Sequence, residues 1–340
     1  MTRRAQRLPG GGHGLTIGAC LALTWAALCA ASFAACSPAN VMGVVGTGGA
    51  PAGDPAAVAK ACDAYAQAYC GHLASCSPTA TGLAFGTGAT CEAVTGAACL
   101  NQGTAPGSGW TVPRTAGCTQ AIPSWACGDF VFGANPPPEC QTPAGTLPSG
   151  SPCGVDAQCV SAYCGGLAAS ACGTCEAPPA PGDACTSDLC PLGLVCSGSP
   201  PRCSAYVASG AACTASQTCA VGLSCLSGTC TPGVMSADAG CVFKGPGCDP
   251  YVAGLSCSAS SSACVTLQLA GAGEACGMVV DQQVGCVAGT CPRGVCVPFV
   301  APGGACELGG ASCLAPARCD PTADGGTTGF CQLPGAVACD

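Results

Sequence analysis

Cysteine supplies 37 of the 340 residues and histidine only two, so reactive chemistry in this chain has to be built on sulfur. Thiolates can bind zinc, cycle as a C-x-x-C pair, attack a carbonyl beside a histidine, carry a lipid, or pair as disulfides. A Cys-His or Ser-His-Asp site would have to use His72, because His13 falls in an N-terminal leader. No G-x-S-x-G turn, H-E-x-x-H helix or phosphate loop accompanies it. His72 falls just off the apolar face of a predicted helix and reads as a packed or solvated side chain. Cys172-Gly173-Thr174-Cys175 is a lone C-x-x-C without the βαβ setting of a redox motif. Zinc is the other possibility for these sulfurs, but an exported chain with abundant partner cysteines favours bridges. Asp320 and Asp324, followed by Gly325, have the wrong spacing for a calcium loop and read as a turn. No catalytic residue, metal site or cofactor is expected, and the chain is not read as an enzyme.

The composition points the same way. Only 8 % of residues are charged, against roughly a quarter in an average soluble domain, while Gly (52) and Pro (29) are abundant. Cysteine above roughly 8–10 % marks a disulfide scaffold in an oxidising compartment. The net charge of −8 excludes a general nucleic-acid role, since phosphate binding needs clustered Lys and Arg. Beyond position 10 the only basic residues are Lys60, Arg114, Arg202, Lys244, Arg293 and Arg318, none close to another in sequence. Nothing reads as eight alternating strands and helices, so a (β/α)8 barrel is also excluded.

The elements that position the sulfurs begin after a leader. Arg3, Arg4 and Arg7 precede an uncharged apolar run over residues 15–33, which ends in Phe33-Ala34-Ala35-Cys36. That is the form of an export signal over residues 1–35. It resembles the bacterial lipobox, whose cysteine is lipidated and becomes the mature N-terminus, although Phe33 replaces the usual Leu. The resemblance implies a lipid anchor on Cys36, and Ser37 fits the pattern sent to the outer membrane. The alternative is an ordinary signal peptide cleaved after Ala35. Arg3-Arg4 reads as the basic start of the signal rather than a twin-arginine motif. Residues 36–56, rich in Gly, Ala and Pro, are expected to form a flexible tether with a reach of roughly 24 Å.

A helical head is expected over residues 57–141. Asp54-Pro55 is a helix-start signal, and Cys62, Tyr65, Tyr69, Leu73 and Cys76 then fall on one helical face. Segments around Cys91–Cys99 and Cys118–Cys127 are expected to be short helices stapled to the first. Trp110, Trp125, Phe130 and Phe132 are expected to be the only large aromatics closing the core. The head holds Cys62, Cys70, Cys76, Cys91, Cys99, Cys118, Cys127 and Cys140, an even number.

Residues 142–340 read as a six-copy array. Five copies open with Gly-x-x-Cys, at Gly150–Cys153, Gly182–Cys185, Gly210–Cys213, Gly273–Cys276 and Gly303–Cys306, and a divergent one opens at Ala239-Gly240-Cys241. In chain order the copies carry Cys153, Cys159, Cys164, Cys172 and Cys175; then Cys185, Cys190, Cys196 and Cys203; then Cys213, Cys219, Cys225 and Cys230. The fourth has Cys241, Cys248, Cys257 and Cys264, the fifth Cys276, Cys286, Cys291 and Cys296, and the last Cys306, Cys313, Cys319, Cys331 and Cys339. Gly-Leu-x-Cys recurs before Cys196, Cys225 and Cys257. A repeat of this size cannot fold on its apolar content. Val221, Leu223 and Leu226 in the third copy supply at most about 2 kcal/mol each, whereas one bridge closing a short loop supplies roughly 3 kcal/mol. The 34 cysteines beyond Cys36 suffice for full pairing. Spacing alone does not settle the connectivity; first-to-third and second-to-fourth is the favoured one within each clean repeat.

The spacing C-x4–6-C-x5-C-x4–6-C with Gly-Leu before the third cysteine resembles the Dickkopf N-terminal cysteine-rich module. It is also similar to bacterial cysteine-rich secreted lipoproteins with tandem copies beside a helical head. The expected fold is therefore small and disulfide-rich: a short helical head followed by a tandem array of loop-rich, short-strand repeats. The resemblance implies binding or structural units without catalytic residues. The expected role is an exported, lipid-anchored interaction or structural module of the outer membrane or cell surface, otherwise periplasmic or secreted. Its expected partner is an extracellular or envelope protein or glycan, and its membrane contact is the lipid alone. The alternative is a secreted protease inhibitor, with Arg293 in Cys291-Pro292-Arg293-Gly294-Val295-Cys296 as the candidate contact, or another extracellular binding protein.

Overall fold

The computed structural model describes residues 54–340, apart from 168–171, 186–189, 191–193, 215–217, 221–222, 234, 242–246, 308–311, 315–316, 322–326, 334–338 and 340. The leader, Cys36 and the tether up to residue 53 lie outside the described residues, as do Val221 and Asp324; the last tether residues, Pro55 and Ala56, already belong to the first helix, because Asp54 caps it. Helices come first, followed by short strands in small two- and three-stranded sheets. Seventeen disulfides hold them, the small disulfide-rich fold that the composition implies.

In the head, α1 (Pro55–Cys76), α2 (Pro78–Phe85), α3 (Gly88–Thr104) and α4 (Val112–Ala121) each start on a capping side chain. Asp54, Ser77, Thr87 and Thr111 accept from the backbone N–H two or three residues on, supplying acceptors that the first turn otherwise lacks. Bridges Cys62–Cys99 and Cys70–Cys91 staple α1 to α3 at equal intervals along both helices, which fixes them antiparallel. The α3 helix is 17 residues long, more than the short helix expected around Cys91–Cys99. The expected segment around Cys118–Cys127 divides into α4, a 3-10 turn at Ile122–Ser124 that contains Pro123, and the five-residue α5 (Cys127–Val131). Of these, α5 is stapled to α1 through Cys76–Cys127, whereas Cys118 of α4 pairs with Cys140.

Phe130 fills the centre of the head and is almost fully buried. The rings of Tyr69, His72 and Trp125 lie 4.9, 4.6 and 5.2 Å from it. Phe85 of α2 is equally buried in the same core, which corrects the expectation that Trp110, Trp125, Phe130 and Phe132 were the only large aromatics available. Trp110 instead lies under the Arg114 guanidinium, 5.8 Å from its ring centre.

The repeats share one backbone plan. With the extra Cys172 and Cys339 left out of the count, here and below, the third and fourth cysteines of five copies face each other across an antiparallel strand pair: Cys164 and Cys175, Cys196 and Cys203, Cys225 and Cys230, Cys257 and Cys264, and Cys319 and Cys331. In the third copy the two strands meet through Ser227-Gly228, both at positive φ, the backbone that a two-residue turn between twisted strands requires. In all six copies the residue three before the first cysteine donates its N–H to the fourth cysteine's carbonyl, at 2.7–2.8 Å. That residue has positive φ throughout: Gly150 (89°), Gly182 (94°), Gly210 (77°), Asp238 (63°), Gly273 (81°) and Gly303 (85°). The Gly-x-x-Cys opening is therefore a left-handed backbone position, where glycine costs least and aspartate is tolerated. The repeat also begins earlier than this motif. Six residues before the first cysteine, Leu147, Val207, Ala270 and Val300 pair in parallel with the second cysteine of their own copy.

The fifth copy departs from the plan. Its longer first loop is a hairpin, Gly277–Val279 with Gln282–Cys286, and Cys291 leads into a 3-10 turn instead of a strand.

The array is not a free-standing rod, because it folds back onto the head. The first copy hydrogen-bonds the loop after α3: Gly109 N–H to Ala157 O at 2.7 Å, Thr146 N–H to Gly107 O at 2.9 Å, and Gln158 Nε2 to Pro106 O at 2.8 Å. A Cβ on Gly109 would run into the Ala144 carbonyl, so the close approach needs glycine there. In the fourth copy, Tyr251 and Val252 pack on the head core, and the Tyr251 carbonyl accepts from Ser77 Oγ. The fifth copy lays Leu269 and Ala288 along α2. In the sixth, Leu314 is fully buried against Val94 of α3, with Phe299 beside them.

Candidate functional site

The 34 cysteines from Cys62 to Cys339 all stand in bridges. Each repeat pairs first with third and second with fourth: Cys153–Cys164 and Cys159–Cys175, Cys185–Cys196 and Cys190–Cys203, Cys213–Cys225 and Cys219–Cys230. The same holds for Cys241–Cys257 and Cys248–Cys264, Cys276–Cys291 and Cys286–Cys296, and Cys306–Cys319 and Cys313–Cys331. The extra cysteines of the first and last copies join as Cys172–Cys339, across 167 residues. Nearby, Arg318 of the last copy donates from Nη1 to the Leu167 carbonyl of the first. Burial lifts the Asp156 carboxyl above its ordinary value, while the Cys164 N–H and Arg318 pull it the other way. This bridge closes the array into a loop by joining its first and last copies.

The sequence-level candidates for chemistry separate in space. Cys172 and Cys175 go to different partners, so the C-x-x-C stretch is not a dithiol pair. The sulfurs of Cys153, Cys159 and Cys175 lie within 4.8 Å of one another, as zinc ligands would. Paired sulfurs, however, offer no thiolate to a metal. His72 packs edge-on against Phe130, with Nε2 2.8 Å from the Trp125 carbonyl oxygen and 3.5 Å from Cys76 Sγ. Arg293 is exposed on the turn at Pro292–Gly294 with φ 58° and ψ 29°. That backbone is left-handed, unlike the extended strand that a β-augmenting peptide presents to its partner. Asp320 lies in the Arg318–Pro321 strand.

The surface shows one feature that sequence reasoning missed. At the tip of the fifth copy's hairpin, Met278 is 54 % exposed and Val280 fully exposed. Val280 holds φ 60°, a conformation that β-branched residues rarely adopt. Contacts with the fourth copy support the tip: Ala259 N–H donates to Asp281 O at 2.7 Å, Ser260 Oγ to the Asp281 carboxylate, and Gln282 Nε2 to Thr266 O at 2.6 Å. The tip is thus an exposed apolar group on a braced turn whose backbone is strained at Val280. Its sequence signal was the length of the first loop, with Met278-Val279-Val280 inside it.

Among the described residues no single helix is long and apolar enough to cross a membrane. Disulfide density of this order belongs to an oxidising, exported environment. Comparison with protein-family models, with curated proteins and with solved structures finds no match to this chain.

Proposed function

We propose that this chain is an exported, lipid-anchored protein of the outer membrane or cell surface that serves as a rigid interaction or structural module and carries out no catalysis. One observation carries the proposal: all 34 cysteines from Cys62 onward are committed to bridges, and Cys172–Cys339 joins the first and last copies of the array. A covalently closed body holds its loops in one arrangement, which lowers the ordering cost of binding. The Met278–Val280 tip is the contact surface this supports, and an extracellular or envelope protein or glycan is the partner. The export signal and Cys36 support delivery and anchoring, and the cysteine spacing supports kinship with Dickkopf-like repeats. The protease-inhibitor alternative rests on Arg293, whose left-handed backbone does not favour it.

Mass spectrometry of the N-terminal peptide from membranes of the native host tests the anchoring. The expected result is a diacylglyceryl-type mass on Cys36, with Cys36→Ser shifting the protein from the membrane to the soluble fraction. An unmodified N-terminus and a soluble wild type would overturn the proposal.

A further inference from the structure

Bridges that only hold a fold are buried, flanked by apolar groups and inert; a bridge that exchanges with thiols needs an accessible sulfur and a stabilised leaving group. Cys76–Cys127 meets both conditions. Cys127 is more exposed than Cys76, which is 7 % exposed, and this favours Cys127 Sγ as the sulfur that an incoming thiolate attacks. Cys225 and Cys291 are also exposed. Among the described residues, however, Cys76–Cys127 is the bridge with an imidazole hydrogen-bonded to its sulfur. The Trp125 carbonyl can only accept, so its 2.8 Å contact requires His72 Nε2 to carry a hydrogen. The same Nε2 lies 3.5 Å from Cys76 Sγ, so its one hydrogen is shared between the carbonyl and the sulfur. Phe130, packed edge-on against the imidazole, holds the ring in place.

We propose that Cys76–Cys127 is a thiol-exchange site, with Cys127 as the attacked sulfur, Cys76 as the leaving group and His72 as the residue that stabilises the departing thiolate. The co-reactant is an external thiol, either a low-molecular-weight monothiol or the thiol of another exported protein. Its thiolate attacks Cys127 Sγ, forming a mixed disulfide as the Cys76–Cys127 bond breaks. The released electron pair stays on Cys76 Sγ, and the one His72 Nε2–H swings from the Trp125 carbonyl toward this stronger, charged acceptor. Return attack by Cys76 on Cys127 restores the bridge and expels the external thiolate. Attack by a second thiol on the mixed disulfide instead leaves Cys127 as a thiolate and yields the external disulfide.

The test treats the intact folded protein with reduced glutathione over a time course, quenches with N-ethylmaleimide, and maps adducts by non-reducing peptide mass spectrometry. The expected result is that Cys76–Cys127 opens before any other bridge, with glutathione on Cys127 and the maleimide on Cys76. His72→Phe keeps a ring against Phe130 but removes the N–H, and it should slow opening on the order of tenfold. His72→Gln restores an N–H donor and should recover most of the rate. A merely structural role predicts the opposite sign for His72→Phe, since a loosened core opens faster. Earlier opening of another bridge, glutathione on Cys76, or a His72→Phe rate equal to or above wild type would overturn the proposal.

Discussion

Replacing both Cys172 and Cys339 with serine removes the one bridge that joins the two ends of the array and leaves sixteen local ones in place. The bridge spans 167 residues of sequence, but bridges within the intervening repeats persist in the unfolded chain and shorten the effective loop to on the order of 100 residues. Closing such a loop is worth about 4.7 kcal/mol by chain entropy, against roughly 3 kcal/mol for a local loop such as Cys213–Cys225, with a separation of 12. The contacts beside the bridge form between ends that it holds together, so the loss should reach the full closure value. A urea titration followed by tryptophan fluorescence reads it, because Trp110 and Trp125 lie in the head, against which the first, fourth, fifth and sixth copies pack. With a slope of about 2–3 kcal/mol per molar, the midpoint should fall by about 2 M. The Cys213→Ser/Cys225→Ser variant should leave the head transition nearly in place and loosen its own repeat. An unchanged midpoint in Cys172→Ser/Cys339→Ser, or a head transition shifted no further than by the local variant, would refute the closed-array account.

Three further outcomes follow from particular residues. Gly210→Ala places a Cβ at φ 77° with nothing within 4 Å, so it should cost only the left-handed penalty of about 1–2 kcal/mol, and Asp238→Gly should relieve part of the same strain in the fourth copy; thermal melts check both. Leu314→Ala removes a fully buried side chain at the contact between the sixth copy and α3 and should cost about 2–5 kcal/mol, read in the head's fluorescence transition. The folded protein keeps the Asp156 proton at pH values where the unfolded chain, near 3.8, has released it. Stability should therefore fall as pH rises from that value through the raised folded one. Asp156→Asn keeps the acceptor for the Cys164 N–H and should flatten this fall in melts between about pH 3 and 7.

How far the residues announce this structure depends on the range of the forces involved. Helix starts at Asp54-Pro55, and a 28-residue rhythm of cysteines with Gly-x-x-Cys openings, are local signals and legible as such. The glycine signal has a local cause too, the positive φ at Gly150, Gly182, Gly210, Gly273 and Gly303. The α2 helix has a local start signal in Ser77-Pro78, its cap and first residue, but its eight residues are too short to set up a helical period. Phe85 was missed with it, being apolar on a segment not read as helical. The apolar residue six positions before the first cysteine was present in Leu147, Val207 and Val300, but its meaning comes from a parallel pairing that no periodicity reports. The partnership of Cys172 with Cys339 had only a parity signal: one cysteine beyond four in the first copy and one in the last. Contacts such as Leu314 on Val94, or Tyr251 on the head core, are decided by how the chain returns, and nothing in the neighbouring sequence marks them.

Disulfide mapping of the unreduced, exported protein tests the central claim most directly. Digestion under acidic, thiol-blocked conditions should yield no blocked cysteine from Cys62 onward, first-to-third and second-to-fourth pairs from every repeat, and a Cys172–Cys339 linked peptide. First-to-fourth pairing in the repeats, or Cys172 and Cys339 recovered as free thiols or joined to other partners, would contradict it.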